Sequence, residues 1–487
     1  MAVYKNYIGG NWVPSSGGVF SSINPSTEKA IGYFQKSAAS DVSKAVDAAE
    51  DAQKKWSNIP APRRGEILLS IAQLLRKEKE RLARLETTEM GKVLTEARGD
   101  VQEAVDIAEY MAGEGRRLFG NTTPSELRNK FCMTVRMPVG VVGIITPWNF
   151  PIAIPAWKLM PALVCGNAVV WKPSSDTPLC AVELTKLIEK AGVPKGVVNL
   201  VTGPGDPAGT AIVRHKKMRG ISFTGSRDTG LWITQNAGIK KVGLELGGKN
   251  GIIIMDDADI DLALDGVIWG AFGTTGQRCT AASRVIVHEK IKKKFENALV
   301  NRARKLRLGS GLDSKTDVGP LVNKAAVEKS QRYVEIGKKE GAKLLCGGEK
   351  HGTRGFFYKP TVFTEVSIDM RIAKEEIFGP VLSIISFRKL EEAVEYMNAV
   401  DYGLSSSIYT NNIKNAFQAI ENIEAGITYV NASTIGAEVH LPFGGVKQTG
   451  NGTREAGITG IEEFSEIKAV YIDYSGKLQR AQIDIER

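Results

Sequence analysis

From residue 128 onward this chain alternates short β-patterned runs with helical ones, and that alternation restricts its fold more than any other feature. Phe131, Met133 and Val135 lead into the apolar run 139–145. Residues 168–171 form a short buried strand, followed by a helical pattern over 180–191. The runs 197–201, 221–223, 240–244 and 252–255 continue the series, the first two closely followed by glycine. Strands separated by helices cannot be joined as hairpins, so such a series predicts βαβ units and a mostly parallel, doubly wound sheet. After Cys279 the pattern restarts: a strand over 285–288, helices over 290–306 and 325–340, and a strand over 343–346. The expected fold class is therefore α/β, with a Rossmann-like unit followed by a second α/β unit.

The flanks read differently. Residues 7–13 predict a hairpin around Gly9, Gly10 and Asn11. A helix is expected to about residue 57, capped by Ser40 or Asp41. Ile67, Ile71, Leu74, Leu75, Leu82 and Leu85 recur at helical spacing over 63–89, and a third helix is expected over 96–118. The longest apolar run, 139–157, contains Pro147, Pro151 and Pro155. That excludes an uninterrupted spanning helix and predicts a buried strand running into a turn. A late strand at 467–472 has the stretch near 131–137 as a candidate partner, in this subunit or a neighbouring one.

Charge and cysteines narrow the function classes. Lys and Arg number 64 against 54 Asp and Glu, a net charge of +10. The excess suits a basic surface or anionic ligands. The basic residues are scattered and form no nucleic-acid motif, so no nucleic-acid partner is expected. The 5 cysteines are widely spaced without a CxxC pair. Neither a disulfide framework nor a zinc site is favoured, and the reading is a reducing compartment. With no apolar signal core at the N-terminus and no membrane segment, a cytoplasmic protein is expected.

Two residues stand out chemically. Glu245 ends an apolar strand and precedes Gly247 and Gly248. A partly desolvated carboxylate there suits a general base, against a structural ion pair as the plainer reading. Cys279 lies in a polar loop beside Arg278 and Thr280, where cationic charge favours a thiolate nucleophile. Asn149, after the strand that ends near Thr146, offers an amide to an oxyanion. Lys172, Ser174 and Ser175 follow the strand 168–171, and ligands of doubly wound sheets lie at such strand ends. The glycine-rich run 203–209 has one residue too many for a dinucleotide fingerprint, and 223–230 departs from the spacing while preceding a helix. None of the 4 histidines sits in a ligand-like pair, so neither a Ser-His-Asp site nor a metal site is supported.

Taken in order, Thr146-Pro147-Trp148-Asn149-Phe150-Pro151, Leu244-Glu245-Leu246-Gly247-Gly248-Lys249, Gly276-Gln277-Arg278-Cys279 and Glu375-Glu376-Ile377-Phe378-Gly379-Pro380 resemble the aldehyde dehydrogenase superfamily over essentially the whole chain. The resemblance implies an NAD(P)-binding domain at 1–118 and 141–247, a catalytic domain at 248–448, and a small β oligomerisation element at 119–140 with a C-terminal return at 449–487. It implies a homodimer or homotetramer acting on a small-molecule aldehyde. Cys279 would attack the aldehyde, Asn149 and the Cys279 N–H would hold the oxyanion, and Glu245 would activate water against the thioester. NADP or NAD would be held by Trp148, Gly225 and Ser226 at the pyrophosphate, Lys172 at the adenine ribose, and Glu376 with Phe378 at the nicotinamide ribose. Gly205 and Gly209 would lie near the adenine, and Thr146, Ser174, Ser175 and Leu246 complete the cofactor set.

Departures from the family carry information. Ser175 stands where many NAD-preferring members have a glutamate, which predicts acceptance of NADP. Gly251 replaces a frequent proline without expected effect. Ile458 replaces a glutamate that some members place on a proposed proton path behind the base, which puts that path in question here. The substrate set is Phe150, Ile154, Trp157, Arg278, Thr280, His440 and Phe443. Arg278, with His440, suggests a carboxylate-bearing semialdehyde such as 2-oxoglutarate or succinic semialdehyde. The alternatives are a broad-specificity aliphatic or aromatic aldehyde dehydrogenase, a CoA-acylating relative, a cysteine hydrolase, and a non-catalytic nucleic-acid-binding protein. Glu245 argues against the CoA-acylating reading, and the lack of a placed histidine against the hydrolase.

Overall fold

The computed structural model describes residues 1–484. The last three residues of the expected 449–487 return lie outside the described residues. The chain opens with a hairpin of β1 (Asn6–Ile8) and β2 (Asn11–Val13), as the Gly-Gly-Asn turn predicts. Three helices follow: α1 (Ala39–Ser57), α2 (Ala61–Met90) and α3 (Leu94–Glu114). The cap of α1 differs from expectation. Ala38 occupies the capping position, and Asp41 reaches back from the first turn to accept its backbone N–H at 2.9 Å.

The α/β series begins after two strands, β3 (Thr122–Pro124) and β4 (Lys130–Pro138). It runs through β5 (Val141–Ile145), α4 (Ala153–Val164), β6 (Ala168–Lys172), α5 (Pro178–Lys190), β7 (Val198–Leu200), β8 (Gly220–Thr224), α6 (Arg227–Asn236) and β9 (Lys241–Glu245). These strands form a seven-stranded sheet in the order β9-β8-β5-β6-β7-β1-β2. Its five αβ-derived strands are parallel, and the N-terminal hairpin adds an antiparallel edge. Every residue of β5 and of β6 is buried, as a parallel sheet covered by helices on both faces demands.

The helix α4 is missing from the sequence reading, which saw only a strand and a turn over 139–157. Pro155 falls in its first turn, where no backbone N–H is needed, so that proline starts a helix instead of preventing one. Pro161 lies inside it and is tolerated near its end.

A second seven-stranded sheet follows, built from β10 (Asn250–Ile254), β11 (Ala282–His288), β12 (Lys343–Cys346), β13 (Thr361–Thr364), β14 (Val381–Phe387), β15 (Ser405–Tyr409) and β16 (Ile427–Val430). Its order is β12-β13-β14-β11-β10-β15-β16, with only β12 antiparallel. The helix α7 (Ile260–Phe272) crosses from β10 to the loop before β11. The late strand is β17 (Ser465–Asp473), which pairs antiparallel with β4 along its full length in the same chain, from Ser465↔Pro138 to Asp473↔Lys130. With β3 they make a separate three-stranded sheet in which β17 has one open edge. Among the described residues no helix is long and apolar enough to cross a membrane.

Candidate active site

Glu245 and Cys279 belong to different sheets, and a short strap brings them together. Glu245 is the last residue of β9, and its carbonyl accepts the Gly225 N–H at 3.0 Å. Gly247 and Gly248 then carry the chain across to β10. A Cβ on Gly248 would lie 2.5 Å from the Cys279 carbonyl oxygen, and one on Gly247 2.5 Å from the Glu376 carboxylate, so neither position has room for a side chain. The Gly248 N–H donates to Glu376 Oε1 at 2.9 Å. Asn250 Nδ2 donates to the carbonyls of Cys279 (2.7 Å) and Ala281 (3.0 Å).

The loop carrying the cysteine is strained and pinned. Thr274 and Thr275 follow α7 with φ of 50° and 58°, left-handed values that cost β-branched residues about 1–2 kcal/mol each. The buried Glu96 carboxylate of α3 offsets this. It accepts from the Thr274 N–H at 2.9 Å and from its hydroxyl at 2.7 Å. Thr275 Oγ1 donates to the Gly319 carbonyl at 2.9 Å.

Arg278 does not do what the sequence suggested for the thiol. Its guanidinium turns to Thr274 Oγ1 (2.8 Å) and Glu96 (3.8 Å), and it stacks over the rings of Trp269 (4.9 Å) and Phe150 (5.2 Å). The Cys279 thiol is pushed up to about 12, first by burial and then by the carboxyls of Glu245 and Glu376; the Thr280 N–H works weakly the other way. The resting residue is a protonated thiol, not the thiolate expected from an adjacent arginine.

Glu245 is buried, and among the described residues neither carboxyl oxygen has a hydrogen-bond partner. Burial, reinforced by Glu455 and opposed by Lys158, raises its pKa well above the usual carboxyl range. Behind it, Lys158 of α4 pairs with Glu455. The side chain of Ile458 is exposed, while Glu455 faces inward three residues earlier. A carboxylate therefore stands behind the base, supplied from a position other than 458.

The predicted cofactor residues fall into two groups. Trp148, Gly225, Ser226, Leu246, Glu376 and Phe378 line one cavity of about 230 Å³ together with Asn149 and Cys279. Trp148 and Phe378 meet edge to face, with ring centroids 5.5 Å apart. Ser226 caps α6 by accepting the Thr229 N–H, so the start of that helix faces the cavity. The half-buried Glu376 carboxyl, raised by desolvation, accepts from the Gly248 N–H at 2.9 Å. The second group lies at the ends of β6 and β7. Lys172 donates to the carbonyls of Pro173 (2.8 Å) and Gly203 (3.3 Å), Ser175 Oγ donates to Gly203 (2.9 Å), and a Cβ on Gly209 would lie 3.6 Å from the Lys172 stem. Burial lowers Lys172 to about 8. Gly205 borders open space, and Ser174 turns to Asp176. Thr146 joins neither group directly: its hydroxyl accepts from Trp171 Nε1 at 3.0 Å. The cavity offers a helix start and a carboxyl, and the strand ends offer a lysine, a set of groups that fits a dinucleotide.

The substrate set is less convergent. Ile154 lines the cavity with Asn149 and Cys279, while Phe150, Trp157, Arg278, Thr280 and Phe443 are not among its lining residues. Phe150 is held between Arg278 and Lys92, whose Nζ stands 3.8 Å from the ring centroid. Trp157 and Phe443 meet edge to face at 5.3 Å. His440 sits on an exposed loop facing Glu438 at 3.4 Å and is not brought to the cavity. Sequence reading missed Lys329, which lines the cavity opposite Glu376. It lies on an amphipathic, lysine-rich helix whose charged face reads as solvated.

Asn149 presents its amide in a fixed orientation, with Nδ2 donating to the Gln277 carbonyl at 3.0 Å. An amide nitrogen has a second N–H, which remains for an oxyanion. Among the described residues no group of three His, Cys, Asp or Glu side chains is arranged to hold a metal.

Comparison with known proteins agrees with this geometry. The pattern of the aldehyde dehydrogenase family matches residues 12–470. The chain is 42% identical over 477 residues to an alpha-ketoglutaric semialdehyde dehydrogenase of Bacillus subtilis (strain 168), covering 96% of this chain and 98% of that one. It is equally 42% identical over 481 residues to retinaldehyde dehydrogenase 3 of Rattus norvegicus, covering 97% and 93%. The crystal structure of an NAD-dependent aldehyde dehydrogenase from Sinorhizobium meliloti superposes with a TM-score of 0.96 at 38% identity, covering 99% and 96%.

Proposed function

The chain belongs to the aldehyde dehydrogenase family, and from that premise we propose that it oxidises an acidic semialdehyde of the 2-oxoglutarate type to its carboxylic acid, with Cys279, Asn149 and Glu245 as the acting residues. The carrying observation is that Cys279 and Asn149 line one cavity with Glu376, while Glu245 stands close enough to raise the thiol.

Cys279 gives its proton to solvent, and its sulfur bonds to the aldehyde carbon as the carbonyl π pair moves onto oxygen. The free N–H of Asn149 and the Cys279 backbone N–H take the charge that develops on oxygen. Bound NAD or NADP supplies the acceptor for the hydride that leaves this carbon. The remaining thioester is attacked by water, whose proton passes to Glu245, and the Cys279 sulfur departs. Glu376 and Lys329 orient the cofactor from the cavity wall, and Lys172 from the strand end. Ser175 places no carboxylate against a 2′-phosphate, which supports use of NADP beside NAD.

Arg278 supports the substrate reading. It adjoins the nucleophile in the chain, and its guanidinium, stacked on Trp269 and Phe150, stands 3.8 Å from Glu96. The broad-specificity alternative draws on the equal identity to the retinaldehyde enzyme. A panel of neutral and acidic aldehydes, followed as NADH and NADPH absorbance, separates the two, with Cys279→Ala as control. Equal kcat/KM for neutral and acidic substrates overturns the acidic reading, and undiminished activity of Cys279→Ala overturns the mechanism.

The open edges of β16 and β17, with Val430, Ile467, Tyr471 and Ile472 exposed along them, support a homodimer or homotetramer. Light scattering of a monomer at micromolar concentration would reject it. The 5 cysteines are all unpaired, which supports a reducing cytoplasm.

A further inference from the structure

The two donors of the oxyanion site lie on different loops, and one helix holds both loops. Asn149 stands in the turn between β5 and α4, and the Cys279 N–H in the loop between α7 and β11. Helix α3 carries the buried Glu96 and Asp100 one turn apart, on a single face. Glu96 accepts the N–H and the hydroxyl of Thr274 in the cysteine loop. Asp100 Oδ1 accepts the Ala153 N–H at 2.6 Å, just beyond Asn149. Ala153 is the first residue of α4, and Ile152 before it brings no side-chain cap. A carboxylate from another helix thus serves a helix start that the local sequence leaves open.

The Asn149 amide is only lightly held by its own contacts. Its Nδ2 donates to the Gln277 carbonyl at 3.0 Å, and among the described residues its buried Oδ1 has no partner. Where the amide points therefore depends on how the backbone around it is held. Gln277 is tied to Thr274, whose carbonyl accepts its N–H at 3.0 Å and its side-chain amide at 3.2 Å. The carbonyl that receives Asn149 is thus placed through Glu96, and the turn that presents Asn149 through Asp100. The other Asp100 oxygen accepts from Lys92 Nζ at 2.9 Å. Lys92 is buried, pairs also with Glu86 at 2.7 Å, and sets Nζ 3.8 Å from the ring centroid of Phe150, the neighbour of Asn149. Arg278, the neighbour of Cys279, approaches the same ring at 5.2 Å. Glu86 already pairs with Lys92, so balancing that cation does not by itself call for Asp100.

We propose that Asp100 is a positioning residue of the oxyanion site: together with Glu96 it sets, from behind, the spacing between the Asn149 amide and the Cys279 N–H. The proposal rests on the reading of Asn149 as an oxyanion donor. Asp100 does not line the cavity and acts only through the turn at Ala153. Both donors must converge on one oxygen as the carbonyl carbon becomes tetrahedral, and a donor displaced by about 1 Å costs on the order of 100-fold in rate. Lys92 ties the same carboxylate to Phe150, so the aromatic ring beside the amide is held with it.

The test uses the full-length protein and two reagents for Cys279. Acylation by p-nitrophenyl acetate, read as the burst of p-nitrophenolate, builds an oxyanion; alkylation by iodoacetamide builds none. Removing the donor, in Asn149→Ala, slows saturated acylation about 100-fold. Asp100→Ala slows it about tenfold, with the half-saturating ester concentration and the alkylation rate within about twofold of native. Asp100→Asn, which keeps an acceptor for Ala153, restores most of the rate. The double variant is about as slow as Asn149→Ala alone, because a donor already absent cannot be misplaced. Native acylation in Asp100→Ala, equal slowing of acylation and alkylation, or multiplied losses in the double variant overturns the proposal. If Asp100→Ala does not fold, Asp100→Ser, whose side chain is too short for the Ala153 N–H, is read by the same cycle, and native acylation there overturns it. Native acylation in Asn149→Ala rejects the donor itself, whereas slow acylation there with a native Asp100→Ala rejects the positioning role alone.

Discussion

Arg278 adjoins Cys279 in the chain, yet its guanidinium donates to Thr274 Oγ1 at 2.8 Å and lies 3.8 Å from the Glu96 carboxylate. Replacing Arg278 by Leu is therefore expected to leave the alkylation rate of the thiol near native. It should raise KM for an acidic semialdehyde about tenfold or more, the cost of a lost charge-assisted contact, and change a neutral aldehyde little. Steady-state kinetics on both substrates reads the difference, and equal effects would remove Arg278 from substrate recognition.

Glu96 holds two consecutive left-handed threonines in place. Truncation to Ala leaves the buried Thr274 N–H unpaired and frees Arg278, and should cost roughly 3 kcal/mol in chemical denaturation. Glu96→Gln keeps one acceptor and should lose about half as much. An Ala variant as stable as native would show that the loop holds itself.

Because burial and two carboxyls raise the Cys279 thiol to about 12, its reaction with iodoacetamide should climb through the alkaline range without levelling near neutrality. Removing one of those carboxyls, in Glu245→Gln, lowers the thiol pKa and brings the plateau to lower pH. A plateau near neutral pH in the native protein would contradict the protonated resting state.

Ser175 hydrogen-bonds the Gly203 carbonyl beside Lys172. Ser175→Glu sets a carboxylate there and should lower kcat/KM for NADP at least about tenfold while leaving NAD nearly unchanged. A strong native preference for NAD, with no further loss in the variant, would reject the role of this position.

Burial, with Asp100 adding repulsion and Arg278 and Lys92 opposing it, raises Glu103 to about 7. Its folded form binds a proton more tightly than its unfolded form, so stability is greatest below the unfolded value and falls as pH rises toward 7. Glu103→Gln removes that fall and should gain about 1–3 kcal/mol at pH 8 and little at pH 4. Melting curves at the two pH values compare them, and equal gains at both would exclude the titration.

The alternating pattern was enough to read the parallel sheets, because strands buried on both faces are near-continuous apolar runs. The helix α4 was not legible, since Pro155 looks like a breaker until its place in the first turn is known. Cys279, Asn149 and Trp148 were visible in short motifs that fold locally around one cavity. The direction of Arg278 was not, because it depends on Glu96, 182 positions earlier (278 − 96), and on the packing of α3. The proton state of Cys279 failed for the same reason: the sequence shows the neighbouring cation but not the depth of burial. Lys158 and Glu455 come together only when α4 and the C-terminal segment close over β8 and β9, and no local spacing announces that.

The base ends a strand of one sheet and the nucleophile follows the crossover of the other, so their separation is set by how the two halves seat against each other. Heat that loosens this seating misaligns them while every strand stays paired. Activity should then fade at a temperature where circular dichroism still shows a native sheet content, making turnover a more sensitive thermometer of this protein than its secondary structure.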